Sequence, residues 1–197
     1  MSTVKSKNLQ VGTDATASNN FTIYQPSTPD GTLRIGVGNA DSPTEVGRFD
    51  SNGYKPATAP AFGAWASGQS FAHNTWTKLT CSNEVFDTNS NYDNATNYRF
   101  TPTVAGYYQI NGNLAIPGTS GICVVAIWKN NALTFSGSEA ALVSAYTISN
   151  VSAVFYMNGS TDYVELYGIQ TSGTSQSSLN AASGAYNFFN GYLAQQS

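Results

Sequence analysis

The chain has 197 residues, of which only 10% are charged, and a formal net charge of −3; an ordinary globular chain carries about 25% charged residues. Without a basic stripe, nucleic acid is excluded as a partner, and without an apolar stretch of ~18 residues, membrane insertion is excluded too. Aromatics at 13%, with abundant Ser, Thr, Asn and Gly, describe an all-β chain with many turns.

The opening residues, MSTVKSKNLQVG, hold two lysines and no apolar run, which argues against a secretory signal. Cys81 and Cys123 are therefore expected to be reduced. Next come three short alternating pieces, FTIYQ (21–25), TLRIGVG (32–38) and TEVGRF (44–49). Strong turn signals separate them: PSTPDG, NADSP and DSNG. Each piece is too short and too polar to bury a core alone. Residues 1–59 are thus expected to be a β-rich attachment or shaft segment that needs partner chains. KPATAPA (55–61) reads as a stiff linker, and residues 60–197 as a second domain.

From Ala61 the strand signals lengthen: AFGAWA (61–66), TWTKLTC (75–81), GYYQINGNLAI (106–116), GICVVAIWKN (121–130), NVSAVFYM (150–157), DYVELYGI (162–169) and YNFFNGYLA (186–194). Tyr108, Ile110, Gly112, Leu114 and Ile116 share one side of their strand. Val164, Leu166 and Gly168 oppose Tyr163, Glu165 and Tyr167. Two antiparallel sheets packed face to face are expected. TSGTSQSSLNAASGA (171–185) reads as a long polar loop.

The stretch DTNSNYD (87–93) places Asp87, Asn89, Asn91 and Asp93 at alternating positions, like the start of an EF-hand calcium loop. Tyr92 stands where the turn requires Gly, and Tyr98 where a bidentate Glu is needed. Asp87 and Asp93 remain a weak calcium pair, and no other cofactor is expected. His73 is the sole histidine, and no G-x-S-x-G accompanies it. Zinc has no cluster of Cys and His, and no dinucleotide fingerprint occurs. The chain is expected not to be an enzyme.

Residues 61–193 resemble the globular-head family of complement C1q, a ten-stranded jelly roll shared with tumour necrosis factor. The carrying motifs keep the family order. They are Ala61-Phe62-Gly63-Ala64, then Asn83-Glu84, then Tyr92-Asp93-Asn94-Ala95-Thr96. Phe100-Thr101-Pro102 follows, with Gly106-Tyr107-Tyr108, Lys129-Asn130, Val164-Glu165-Leu166 and the final Phe189-Asn190-Gly191-Tyr192-Leu193. The gap from Thr96 to Phe100 is one residue longer than the pattern, and Pro102 sits one place early. The resemblance implies a homotrimer with an aromatic-lined threefold interface. The polar, turn-rich N-terminal segment resembles the shafts of tailed-bacteriophage fibres. Together these imply a virion protein assembled in the host bacterial cytoplasm, docked on other virion proteins through its N-terminal segment. Its head would bind a host-surface glycan or protein through Gln69, His73, Asn89, Asn91, Tyr92 and Asp93. A capsid head-fibre or decoration protein with a structural role, and a cellular C1q-like binding module, are the alternatives.

Overall fold

The computed structural model describes residues 8–16, 19–39, 41–57, 59–180 and 186–197. The chain divides into two compact units, Met1–Ala59 and Pro60–Ser197.

The first unit is a single antiparallel meander of five strands, each paired with the next. They are β1 (Asn8–Val11), β2 (Phe21–Tyr24), β3 (Leu33–Val37), β4 (Thr44–Asp50) and β5 (Gly53–Pro56). The strand β5 takes the first residues of the expected linker, since Lys55 pairs with Arg48 and Pro56 with Gly47. A proline is tolerated there because β5 is an edge strand and needs no outward N–H donor. The register sorts side chains by kind. Leu9 lies opposite Ile23, Ile23 opposite Ile35, Leu33 opposite Phe49 and Phe49 opposite Tyr54. One face is therefore apolar. The alternate residues form the other face, where Arg34 pairs with Asp30 and Glu45, Arg48 with Glu45, and Lys55 with Asp50.

The second unit opens with β6 (Ala61–Trp65), β7 (Ser70–Phe71), β8 (Thr77–Lys78), β9 (Asn83–Asp87), β10 (Tyr92–Asp93), β11 (Arg99–Phe100) and β12 (Ala105–Ile116). It continues with β13 (Ile122–Lys129), β14 (Ala132–Ser136), β15 (Ala140–Ala141), β16 (Thr147–Asn158), β17 (Val164–Gln170), β18 (Gln176–Ser177) and β19 (Phe188–Gln196). One sheet runs β16-β12-β19-β6-β9. The other runs β10-β11-β17-β13-β14, with β8 on β17 and β15 on β13. These exceed ten strands because two-residue ladders form inside stretches that the sequence marks as loops; β7 pairs with β18 in this way. Every ladder between the named strands is antiparallel.

The core lies between the two sheets. The alternation in β12 turns Tyr108, Ile110, Gly112, Leu114 and Ile116 inward, all buried. The other sheet contributes Cys123, Val125, Ile127, Val164 and Leu166. The sheets interlock through two glycines. A Cβ on Gly112 would stand 2.2 Å from Leu166, and one on Gly168 would stand 2.3 Å from Leu114. Each sheet thus offers a gap for the other's leucine, at a separation no Cβ tolerates. Both cysteines are free and buried, and burial pushes each thiol up to about 12. Cys123 lies on β13, and Cys81 in the connection between β8 and β9.

Candidate functional site

The two ends of the sandwich differ. Pro60 begins the unit beside the Asp87–Asn91 loop, where Thr88 donates its N–H to the Ala61 carbonyl at 3.0 Å. His73 lies at the opposite end. Along β17, Phe100 pairs with Val164 while the His73 segment bridges to Gln170, a separation of roughly 20 Å at ~3.3 Å per residue. The six candidate receptor residues therefore do not form one surface. Gln69 and His73 lie towards one end, and Asn89, Asn91, Tyr92 and Asp93 towards the other.

The 87–97 segment is built for local order. The Asp87 carboxylate accepts the N–H of Tyr92 at 2.7 Å and of Asn89 at 3.2 Å. Asn91 is buried, and its side-chain oxygen accepts the Thr103 N–H at 3.2 Å. Asn89 is half-buried and receives the Thr88 hydroxyl at 2.9 Å. Tyr92 corrects an expectation: it is no surface aromatic. Its ring stacks on Phe62 at 5.0 Å, and its hydroxyl donates to the Cys81 carbonyl at 3.0 Å. Burial pushes its phenol up, and the nearby Cys81 and Asp93 add to the shift.

Asp93 caps the turn after it. Its carboxylate accepts the N–H groups of Ala95, Thr96 and Asn97 at 2.8–3.1 Å, and the Asn97 side-chain amide at 2.7 Å. Those donors, Thr96 foremost, hold its carboxyl at about 2. Asp87 and Asp93, the pair the calcium expectation needs, thus act as acceptors for their own loop. Among the described residues no group of three or more His, Cys, Asp and Glu side chains converges as a metal site would require. Replacing Asp93 by Ala is expected to lower stability by about 1–2 kcal/mol at pH 7, the scale of a lost turn cap and its charge-assisted bonds. A carboxylate whose folded value is depressed adds stability above its unfolded value near 3.8 and loses it as pH falls towards 2. The gap in melting temperature between wild type and Asp93→Ala should therefore close between pH 4 and pH 2. A gap that persists at pH 2 contradicts this role.

The end that carries His73 is assembled from distant loops. Ser178 donates its N–H to the Gln69 carbonyl at 2.8 Å, Leu179 to Ala115 at 3.0 Å, and Leu142 to Gly121 at 2.9 Å. Gln69 is half-buried. Its side chain donates to the Lys78 carbonyl at 2.6 Å and accepts the Thr80 N–H at 2.8 Å. It braces the end more than it faces outward. His73 is exposed, and its Nδ1 accepts the Gly173 N–H at 3.0 Å. Residues 66–76, 117–121, 141–147 and 171–180 contain no Asp, Glu, Lys or Arg. The surface is hydroxyls, amides and an imidazole, with Val143 and Tyr146 as exposed apolar side chains among them. Residues 181–185 of the expected polar loop lie outside the described residues.

A third feature is the outward face of the five-stranded sheet. Tyr107 lies opposite Tyr156, and Gln109 opposite both Val154 and Tyr192. Tyr107, Val154, Tyr156 and Tyr192 are each about half exposed, at 45–53%. Between them runs a ladder of amides. Gln109 Nε2 donates to Ser152 Oγ at 2.9 Å, and Asn111 Nδ2 to Asn190 Oδ1 at 3.0 Å. At the β9 edge, Gly63, Trp65, Val85, Phe86, Phe188 and Tyr192 surround a cavity of about 250 Å³. The face thus combines half-exposed tyrosines and Val154 with a polar ladder. Period-two alternation alone pairs Tyr107 against Tyr108, but it cannot say that the outward set lies beside Val154 and Tyr192.

This arrangement is an all-β jelly-roll sandwich of the C1q and tumour necrosis factor kind. Murine APRIL at pH 5.0 superposes with a TM-score of 0.53 and 9% identity, covering 69% of this chain and 99% of that one. The globular domain of zebrafish complement 1qA gives 0.48 at 15% identity over 71% of this chain and 100% of its own. PRD1 vertex protein P5 gives 0.47 at 16% identity over 68% and 94%. No protein-family model and no curated protein matches the sequence.

Proposed function

We propose that the chain is a non-enzymatic virion structural protein. It forms a homotrimeric fibre or appendage of a tailed bacteriophage, is assembled in the bacterial cytoplasm and attaches to other virion proteins through residues 1–59. Its head meets the host surface. The observation that carries this reading is the outward face around Tyr107, Val154, Tyr156 and Tyr192, which on a monomer would leave a large aromatic patch in water. A second copy covers it with no new charge to desolvate. The phage context is supported by the turn-rich, weakly charged N-terminal segment. The uncharged end around His73 is the surface that would meet the host. Hydroxyl and amide groups without ions suit a neutral glycan better than an acidic one.

Light scattering tests the assembly. The full chain is expected at three times 20.9 kDa. Tyr107→Glu combined with Val154→Glu places two carboxylates in the contact and is expected to give a monomer, with affinity lowered at least ~100-fold. A wild-type monomer at micromolar concentration removes the trimer.

A further inference from the structure

We infer that the N-terminal meander is one wall of a three-walled β prism, in which three copies turn their apolar faces to a common axis. The inference rests on the trimer proposed above and adds the surface by which residues 8–56 assemble.

Three observations carry it. First, β1 to β5 pair in sequence order into a complete single-layer meander. What the unit lacks is a second layer, and a sheet that is apolar on one face must bury that face against another element. Second, the apolar face is open: Leu9, Val11, Phe21, Leu33, Phe49 and Tyr54 are 44–58% exposed. The three aromatics each bring about 150–250 Å² of side chain. Half of that, with the aliphatics, amounts to roughly 600–700 Å² per copy, near the ~800 Å² per partner of a stable interface. Third, the charges are sorted away from it. The ion pairs of Arg34, Arg48 and Lys55 all lie on the opposite face.

The occupant must therefore be apolar, uncharged and sheet-like. Another copy of the same face meets all three conditions. A trimer of heads also holds the three sheets at millimolar effective concentration, so modest face-to-face affinity suffices.

The test uses single cysteines in the full chain. Ile23→Cys lies on the apolar face, and Gln10→Cys on the opposite, exposed one. The native cysteines are buried and serve as a common background. Maleimide labelling of the native protein is expected to be at least ~10-fold slower at Ile23→Cys than at Gln10→Cys. Equal rates in a chain that still weighs three times 20.9 kDa overturn the prism and leave the trimer standing. They would also be the outcome if a different virion protein were the natural cover. A monomeric wild-type mass overturns both. Leu33→Cys on the same face decides the question if Ile23→Cys does not assemble.

Discussion

Phe62→Ala is expected to lower the stability of the full chain by about 3–5 kcal/mol, a third or more of what a typical domain has. Phe62 is fully buried on β6 and is the hub of an aromatic cluster. It stacks on Phe100 of the facing sheet at 4.4 Å and on Tyr92 at 5.0 Å. It also meets the edge of Phe189 at 4.9 Å. Truncation removes three ring contacts, each contributing ~0.5–1.5 kcal/mol beyond area, and leaves a cavity walled by other rings that cannot collapse into it. Tyr92 then loses the packing that aims its hydroxyl at the Cys81 carbonyl. Phe62→Leu keeps part of the volume but also gives up the three ring contacts, and should lose about 1.5–3 kcal/mol, less than the alanine variant. Urea unfolding at one fixed chain concentration measures both, with the midpoint falling and the slope unchanged. A loss below 1 kcal/mol for the alanine variant would mean that the two sheets do not meet at this residue.

Phe62 is also a case of what the sequence makes legible. Alternation within a strand shows which side chains share a face, so the inward set of β12 and the opposed sets of β17 are read from period two alone. The same rule is silent for β14, whose five residues are all exposed, and for β9, whose exposed middle has no buried partner to alternate with. Strands without a core face have no hydrophobic period. Tyr92, set among Asn and Asp, reads both as a loop aromatic able to stack on a sugar and as a core ring, and the core reading is the one the structure shows. Its burial comes from β6, far away in sequence. The sorting of loops between the two ends is likewise a property of topology: His73 and Asp93 are 20 positions apart, yet β17 holds them at opposite ends. Glu165 shows the limit in its sharpest form. Its strand position marks it as outward-facing and solvated, but it is 3% exposed, because β8 pairs alongside β17 and brings a lysine over it.

Lys78→Met is expected to lower stability by about 3 kcal/mol. The Lys78 ammonium donates to Glu165 Oε1 at 2.6 Å and to the Asn97 carbonyl at 3.3 Å. The Tyr167 hydroxyl reaches the other carboxylate oxygen at 3.4 Å, and Trp128 stacks on the Tyr167 ring at 4.4 Å. Burial, then the Glu165 charge, raises the Tyr167 phenol, so it stays a donor to that carboxylate. Glu165 thus packs against aromatic rings with Lys78 as its ion-pair partner, while Arg99, opposite it on β11, lies over the Tyr163 ring. Removing one partner of a buried pair leaves an uncompensated charge and typically costs 3–5 kcal/mol. The lower end applies here, because the Lys78 side chain is 30% exposed and water can follow its departure. Replacing both partners is far milder. Lys78→Met with Glu165→Leu removes the stranded carboxylate and should return to within about 1 kcal/mol of wild type. The double-mutant cycle then gives a coupling of about 2 kcal/mol or more. Additive losses in the double variant would show that Lys78 acts through its packing on Tyr167 and not through its charge.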